Sequence, residues 1–397
     1  MPTRLEASAL RRRARGLAIL VVLAAAVDLG GAALAERRHP STLEPGSPAS
    51  TYRMRSPLYH HDLRPNVCAT EAWNTRRVPI CTNSLGFRDR APREIPLRAR
   101  GRRVLLLGDS VTEGLGVAYA DTFAGLLDAR LARHGVEVLN GAAVSYSPSI
   151  YERKTRYLVE ERGLALDEVV VFLDISDIED EALYYATDEH GNVVDAPEAP
   201  PNAAMRSNWG ASAAVPLRPW WSWSLTTRGL HALKDAVYGS GDWRPAIVGG
   251  SKPALDALAT SPRASWTFDD ETYERFGRAG LERCRAALGR LRELLERRGA
   301  RLTLVVYPWP AQILAHDRDS RQVRYWRGWA AEHGVAFVDL FPLLLTDGDP
   351  WEVIRVHYLP FDVHLSELGH RRVAQAVSEV LEAHARDAAP RVGEPPR

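Results

Sequence analysis

Short apolar runs alternate with amphipathic stretches through most of the chain after residue 102, and this order limits the fold more than any other feature. The predicted strands are residues 104–107, 136–139, 168–173, 301–306 and 335–339. The predicted helices are residues 122–134, 149–162, 270–298, 320–333 and 366–385. Strands that alternate with helices pair in parallel and are covered on both faces. We therefore expect an α/β fold with a five-strand parallel sheet.

One long interruption, at about residues 180–265, separates the third predicted strand from the next predicted helix. It has no regular period, and it contains Trp209, Trp220, Trp221, Trp223 and Trp243 among many Pro, Ser and Gly residues. A stretch of this length inside a compact domain is usually a lid or a binding loop. Its Trp side chains could stack on sugar rings or line an acyl pocket, or they could simply anchor an insertion that lacks its own core.

The overall composition is that of a globular protein with little net charge. Of the 397 residues, 45% are hydrophobic and 25% are charged, which excludes a disordered or collagen-like chain. Lys and Arg total 51 against 50 Asp and Glu, so the formal net charge is +1. This balance gives no basic surface for a polyanion, and we expect no nucleic-acid partner.

The N-terminus has the order of an export signal. Five Arg residues precede an uncharged apolar run at 17–27, and a second apolar run at 29–35 follows Asp28. The first run is too short to cross a bilayer but suits a signal-peptide core, with small residues Ala33 and Ala35 at the cleavage site. A retained signal-anchor helix over 17–35 is one alternative, and a buried helix of a soluble protein is another. Both export interpretations place the remaining chain outside the cytoplasm, as in the periplasm, with membrane contact through this segment alone.

The chain is thereby divided into four predicted parts. They are a signal peptide or anchor (1–35), an N-terminal arm (36–100), an α/β domain that contains the insertion (101–387) and a disordered tail (388–397).

The three Cys residues fit an exported protein. Cys68 and Cys81 lie in a part of the arm rich in turn residues, and an oxidising compartment would let them form a disulfide worth about 3 kcal/mol. Two unpaired thiols are the alternative. Cys284 lies in a predicted helix and is expected to be a packed residue. No second Cys or His stands at metal-ligand spacing, so no metal site is expected.

A candidate nucleophile follows the first predicted strand, in the sequence Gly108-Asp109-Ser110. In a parallel sheet the ligand site lies beyond the carboxyl ends of the strands, which is where Ser110 is expected. Gly108 permits a sharp turn, and the following helix offers backbone N–H groups to a developing oxyanion. The tripeptide alone is a weak signal, because an N-capping Ser would look the same.

A candidate base and its carboxylate occur near the C-terminus, in Asp362-Val363-His364. A serine hydroxyl is a poor nucleophile until a base accepts its proton. Asp362 can hold one imidazole nitrogen of His364 and stabilise its charged form. His370, six residues further on, is expected to pack or cap a helix, and His60 and His61 are weaker candidates for the site.

Together these motifs resemble the SGNH, or GDSL-type, hydrolase superfamily, over roughly residues 59–385. The match of Gly108-Asp109-Ser110 and Asp362-x-His364 to the first and last blocks implies a three-layer, flavodoxin-like fold with a Ser-His-Asp triad. Many members place the Asp three residues before the His, where this chain has Phe361. The two-residue spacing is similar to that of the alginate-acetyltransferase branch. The segment from Thr82 to Asp89 looks like one that precedes the domain in exported bacterial members.

The middle blocks depart from the family pattern. The resemblance implies an oxyanion hole formed by the backbone of Ser110, by Ala142 where the family has Gly, and by Ser176 where the family has Asn. A hydroxyl has a shorter reach than an amide, and losing such a donor costs about 3 kcal/mol of transition-state stabilisation. Tyr307 and Trp309 follow the fourth predicted strand and are candidates for shaping the substrate pocket.

These observations favour a cofactor-independent serine esterase or acyl (acetyl) transferase that acts on a small ester or an O-acylated carbohydrate outside the cytoplasm. Ser110 would attack, His364 would serve as base and then acid, and Asp362 would orient His364. Hydrolysis and transfer share this chemistry and differ only in the acceptor. The alternative is a carbohydrate-binding or polysaccharide-assembly protein that keeps the fold but has lost catalysis.

Overall fold

The computed structural model describes residues 16, 23–28, 30, 51–73, 76–99, 101–199 and 261–388. Most of the predicted signal segment, the five Trp residues of the insertion and the tail from 389 lie outside these residues. Residues 46–212 and 243–397 form one compact unit, and residues 1–45 and 213–242 form a second. In the second unit the described residues are helical. Within the described part of the chain, no helix is both long and apolar enough to cross a membrane.

The described chain contains twelve strands. They are β1 (Arg53–Ser56), β2 (His60–Leu63), β3 (Cys68–Trp73), β4 (Arg76–Thr82), β5 (Arg88–Asp89), β6 (Arg102–Leu107), β7 (Val136–Asn140), β8 (Glu168–Leu173), β9 (Tyr185–Thr187), β10 (Val193–Asp195), β11 (Arg301–Val306) and β12 (Ala336–Asp339).

The α-helices within the described ranges vary widely in length. They are α1 (Ser110–Glu113), α2 (Phe123–Leu131), α3 (Pro148–Arg156), α4 (Asp177–Leu183), α5 (Pro262–Ser265), α6 (Asp270–Thr272), α7 (Arg278–Arg297), α8 (Pro310–Leu314), α9 (Arg321–His333), α10 (Phe341–Leu344), α11 (Pro350–His357) and α12 (Glu367–Ala388). Short 3₁₀ turns follow at Tyr119–Asp121 and Ala132–His134, and π-turns at Tyr157–Glu161 and Tyr273–Gly277.

The central sheet has eight strands in the order β12-β11-β8-β6-β7-β5-β4-β3. Strands β12, β11, β8, β6 and β7 pair in parallel, as predicted. The prediction of a five-strand sheet is wrong in its count, because β5, β4 and β3 of the N-terminal arm extend the sheet with antiparallel pairs. Strand β4 is mostly half-buried and β5 is a charged pair of residues, so neither has the apolar run of a central strand.

The inner parallel strands β6, β8 and β11 are buried because helices cover the sheet. All six residues of β8 are buried, as are the last five of β6 and of β11. A strand buried on both faces reads as a continuous apolar run, which is why these strands were predictable. Strand β6 lies between β7 and β8, its two successors in the chain. The connections therefore diverge at β6, and this divergence opens a crevice beyond its carboxyl end.

The described flanks of the insertion have more regular structure than the sequence predicts. Helix α4 follows β8, and β9 and β10 form an antiparallel pair before residue 199. These elements are short, so hydrophobic periodicity is weak in them. The structure also joins Cys68 to Cys81, which face each other in register on β3 and β4, by a disulfide. Cys284 is a free, buried residue of α7.

Candidate active site

Ser110 stands at the carboxyl end of β6, as the first residue of α1. Asp109 caps this helix by accepting a hydrogen bond from the backbone N–H of Val111 at 3.0 Å. Gly108 is required for close packing, because a Cβ there would lie 2.1 Å from Oγ1 of Thr112. The turn therefore lifts the Ser110 hydroxyl above the end of the sheet, although Ser110 as a whole is only 9% exposed.

His364 and Asp362 lie in the loop between α11 and α12, which we call the histidine loop (residues 358–366). The loop is closed by a bridge between Tyr358 and Leu365. Nε2 of His364 lies 2.8 Å from Oγ of Ser110. Nδ1 of the same ring lies 2.5 Å from Oδ1 of Asp362. Hydrogen bonds thus connect the three side chains in one continuous line. They join Ser110 to His364, which lies 254 positions later in the chain.

The charges of this line support one another. Burial alone would lower the pKa of His364, but the hydrogen bond and charge of Asp362 outweigh it and raise that pKa above its ordinary value. Burial likewise opposes the ionisation of Asp362, yet hydrogen bonds from His364 and Trp73 hold its pKa below the usual range. The arrangement therefore favours a carboxylate next to an imidazole that takes up a proton readily.

A second acidic group lies behind the nucleophile. Burial and the nearby charge of Asp174 raise the pKa of Asp109 to about 7. The Ser110 hydroxyl is 3.0 Å from Oδ2 of Asp109, so Asp109 competes with His364 for the serine proton. Sequence analysis assigned no role to Asp109, although its position in the Gly-Asp-Ser motif was a signal for one.

The two predicted substrate-binding residues, Tyr307 and Trp309, are buried next to Asp174. Tyr307 donates its hydroxyl proton to Oδ2 of Asp174 at 2.6 Å, and Nε1 of Trp309 donates to the same oxygen at 2.8 Å. The residues are 3% and 5% exposed. Their polar atoms therefore support the site from within, and their predicted contact with substrate stays a prediction.

The predicted oxyanion donors have mixed geometry. The N–H of Ser110 belongs to the first turn of a helix, where backbone N–H groups have no acceptor within the helix. The N–H of Ala142 instead donates to the side chain of Asn140 at 3.2 Å, and the N–H of Ser176 donates to Asp174 at 2.8 Å. Ser176 precedes the first residue of α4 and is 2% exposed. The side-chain hydroxyl of Ser176 is thus the part of this residue with donor capacity beyond its backbone.

The other histidines lie in structural positions. Nδ1 of His370 accepts a hydrogen bond from the N–H of Phe123 at the start of α2, which fits the predicted capping role. Burial, with the nearby charges of Arg88 and His364, lowers the pKa of His370 to about 3 and keeps it neutral. His60 and His61 contact each other through their Nδ1 atoms at 2.6 Å, and His61 also contacts the carbonyl of Val144.

Sequence reasoning missed the contribution of the arm to this site. Arg88 donates to the carbonyls of Glu113, Gly114 and Val117, at the end of α1 and just after it. Trp73 donates to Asp362. The segment from Thr82 to Asp89 was the available signal, because it looks like a segment that precedes the domain in exported bacterial members, but that resemblance does not show what it contacts.

The described residues contain no group of three or more His, Cys, Asp or Glu side chains that could bind a metal ion.

Comparisons with known proteins connect this geometry to a family. Residues 261–393 match the family described as SGNH hydrolase-like domain, acetyltransferase AlgX. A comparison with curated proteins found no match.

Among solved structures, TesA is 14% identical over 71% of this chain and 99% of its own, with a TM-score of 0.36. A lipase/acylhydrolase from Enterococcus faecalis is 11% identical over 71% and 96%, with a TM-score of 0.35. An acetyl xylan esterase from Geobacillus stearothermophilus is 16% identical over 72% and 96%, also with a TM-score of 0.35. Likeness at this level does not bear on activity. The family match confirms the predicted resemblance to SGNH hydrolases through residues 261–393, the part of the chain that carries Asp362 and His364.

Proposed function

We propose that this protein is a serine esterase or O-acyltransferase whose nucleophile is Ser110. The observation that carries the proposal is the continuous hydrogen-bonded line from Ser110 through His364 to Asp362. The match of residues 261–393 to an SGNH hydrolase-like, acetyltransferase family supports the same reaction class. Acyl transfer through a serine requires a base in contact with the hydroxyl and a group that orients the base, and this line supplies both.

The proposed reaction begins when Oγ of Ser110 attacks the ester carbonyl and passes its proton to Nε2 of His364. The carbonyl oxygen becomes an oxyanion as the new C–O bond forms. The imidazolium, stabilised by Asp362, then gives the proton to the leaving alkoxide as its C–O bond breaks. A second acceptor, water or a sugar hydroxyl, loses its proton to His364 and attacks the acyl-serine. Return of that proton to Oγ of Ser110 releases the free acid or the new ester.

Asp109 sets the direction of the serine proton in this proposal. When His364 is charged, its Nε2–H donates to Oγ, and the hydroxyl of Ser110 keeps its proton and donates it in a hydrogen bond to Asp109. When His364 is neutral, the same proton turns to Nε2 and the serine becomes competent to attack. Activity is therefore expected to rise with pH through the pKa of His364, which lies above its ordinary value.

The proposed oxyanion donors are the N–H of Ser110 and the hydroxyl of Ser176. Ala142 can join them only if its N–H leaves the side chain of Asn140. A hydroxyl in place of the family's amide stabilises the oxyanion less. If part of one donor's contribution is lost, the rate should be lower by about 10- to 100-fold. This favours a slow hydrolase or a transferase with a well-bound acceptor.

An O-acylated carbohydrate outside the cytoplasm is the proposed substrate. The acetyltransferase in the name of the matched family supports an acetyl group, and the Cys68–Cys81 disulfide fits an oxidising compartment such as the periplasm. Export itself rests on the N-terminal sequence. No cofactor enters the proposed reaction, and membrane contact is assigned only to the N-terminal segment.

The alternative is a protein that keeps this fold for carbohydrate binding or polysaccharide assembly and no longer catalyses. Ser176 at the position of the family's Asn is the observation that favours it. Retention of all three triad side chains in hydrogen-bonding contact argues against it, since decay of catalysis removes the constraint that holds them together.

Ser110→Ala tests the proposal. Turnover of an aryl acetate should fall by about 10⁴-fold or more, because the nucleophile is removed, while the thermal midpoint stays close to that of the wild type. Ser378→Ala, at a buried serine on α12 that donates to the carbonyl of Gln375, is the matched control and should keep its activity. Running the reaction with and without a sugar acceptor separates transfer from hydrolysis. Undiminished turnover by Ser110→Ala would refute the serine mechanism.

A further inference from the structure

Trp73, at the end of β3, contacts both His364 and Asp362. Its indole Nε1 donates a hydrogen bond to Oδ2 of Asp362 at 2.6 Å. The centre of its ring lies 4.9 Å from that of His364, nearly perpendicular to it at 79°. The two residues joined by the hydrogen bond are 289 positions apart. The arm therefore reaches the Asp-His pair from outside the parallel sheet.

The end of the β3–β4 hairpin contacts both halves of the site. Trp73 pairs in register with Arg76. Arg76 donates to the carbonyl of Gly116, shortly after the nucleophile helix, at 2.8 Å. The same guanidinium pairs with Glu367 at the start of α12, at 2.7 Å. At the other end of the hairpin, the Cys68–Cys81 disulfide ties the two strands together, so Trp73 is presented from a braced element.

The two oxygens of Asp362 have separate partners. Oδ1 faces His364, through Nδ1 at 2.5 Å and the backbone N–H at 3.2 Å, whereas Oδ2 receives the indole N–H of Trp73. A carboxylate held on one oxygen alone can rotate about its Cβ–Cγ bond. A donor on the second oxygen fixes the plane of the carboxylate and therefore the direction of the imidazole.

We propose that Trp73 is a positioning residue, which fixes Asp362 and lowers the basicity that Asp362 confers on His364. This inference rests on the proposed function. The indole N–H withdraws charge from the carboxylate, so Asp362 stabilises the imidazolium less than a carboxylate without that donor would. Trp73 thereby supplies orientation and restrains the rise in the basicity of His364.

The sign of the pH effect follows from the groups that face His364. Asp362, Asp109 and Asp174 are the carboxylates that favour its charged form. The nearby His370 is kept neutral by burial and by the charges of Arg88 and His364, so it adds no charge of its own. Loss of the Trp73 donor leaves Asp362 more basic, so the pKa of His364 should rise. Because His364 acts as a base only when neutral, the acid limb of kcat/KM should move to higher pH.

Trp73→Phe removes the N–H and keeps an aromatic ring. We expect kcat for an aryl acetate to fall about 10- to 100-fold, the range for one hydrogen bond to a charged group, with little change in KM. The acid limb of kcat/KM should shift upward by a measurable fraction of a pH unit. Trp329→Phe, at a buried Trp of α9, is the matched control and should move neither kcat nor the limb.

A second replacement guards against a packing effect. Benzothienylalanine at position 73, introduced by codon suppression, exchanges only the indole N–H for sulfur and leaves the ring shape intact. It should reproduce both the loss of kcat and the upward shift of the limb. A lower rate with an unmoved limb in both variants would reduce Trp73 to packing and overturn the inference.

The result for the wild type separates this inference from the proposed function. A wild-type protein that turns over no ester and reacts with no fluorophosphonate would overturn both. An active wild type with variants that match it in kcat and in pH profile would overturn only the role of Trp73.

Discussion

The nucleophile turn (residues 108–113) and the histidine loop meet at the same edge of the sheet, but they are held in different ways. The nucleophile turn is built into the protein by buried charges. The histidine loop is anchored at both ends by the buried Tyr358 and Leu365, but its tip at residues 360–361 is exposed. We therefore expect substitutions in the two regions to have different effects, on stability in the nucleophile turn and on turnover in the histidine loop.

Buried ion pairs fix the nucleophile turn. Glu113, the last residue of α1, accepts two hydrogen bonds from Arg53, at 2.6 and 2.9 Å, and one from the N–H of Val144 at 2.7 Å. Neither charged side chain is more than 6% exposed. A pair buried in this way is costly to break, because the remaining charge stays buried without a counter-charge and without hydration by water. Stability and nucleophile position are therefore coupled here.

The tip of the histidine loop lies at the surface. Phe361, next to Asp362, has a positive φ of 58°, which is uncommon for an aromatic residue, and is 39% exposed. Asp362 is held by its contacts with His364 and Trp73. Changes here remove interactions that matter to the reaction more than to the fold. The comparison teaches that loss of Asp362 should act mainly on the reaction, whereas loss of the buried charge of Glu113 should act mainly on stability.

Asp362→Asn tests the loop side and has the largest expected effect. An amide can satisfy either His364 or Trp73 but not both in the same way, and it cannot stabilise an imidazolium. We expect kcat to fall by about 10⁴-fold. The thermal midpoint should fall by only a few degrees, since about 1 kcal/mol of stability corresponds to roughly 2–4 °C.

Asp347→Asn is the control for this variant. Asp347 is an exposed residue that pairs with Arg318, and its loss should leave turnover unchanged. If Asp347 or Asp339 proved indispensable while Asp362→Asn kept its activity, the assignment of the last motif would be wrong.

Glu113→Gln tests the nucleophile side and should act mainly on stability. Removing the charge weakens the shortest ion pair of the buried Arg53 and leaves its longer pair with Glu71, at 3.3 Å, in place. The free energy of unfolding should fall by about 3–5 kcal/mol, measured by urea denaturation. Glu332→Gln, which breaks an exposed pair with Arg285, should cost less than about 1 kcal/mol. Equal losses for the two variants would contradict the difference drawn between the regions.

The sequence was sufficient to predict the elements that are buried on both faces. The parallel α/β architecture is confirmed, and each of its five predicted parallel strands is found within two residues of its predicted bounds. The cause is physical, because a strand such as β8 is covered on both sides and carries a continuous apolar run at residues 169–173. The resemblance to SGNH hydrolases is confirmed as well, through the two short motifs and the match of residues 261–393.

What the sequence could not predict depends on distant partners. Strands β3 and β4 join the sheet at an edge, where neighbours rather than an apolar pattern decide their pairing. The Trp73–Asp362 hydrogen bond has no local signal, since any of eleven Trp residues could have supplied it. Tyr307 and Trp309 were predicted to face substrate from their place after a strand, but spacing alone does not show that both donate to Asp174.

Reaction with a fluorophosphonate tests the central claim most directly, because only a serine activated by a base forms the stable adduct. The purified protein would be treated near pH 8, digested, and the modified residue identified by mass spectrometry. We predict a single adduct on Ser110, lost in Ser110→Ala and slowed by about 10⁴-fold in Asp362→Asn. Absence of an adduct on the folded wild type, or an adduct on another serine, would contradict the claim that His364 and Asp362 activate Ser110.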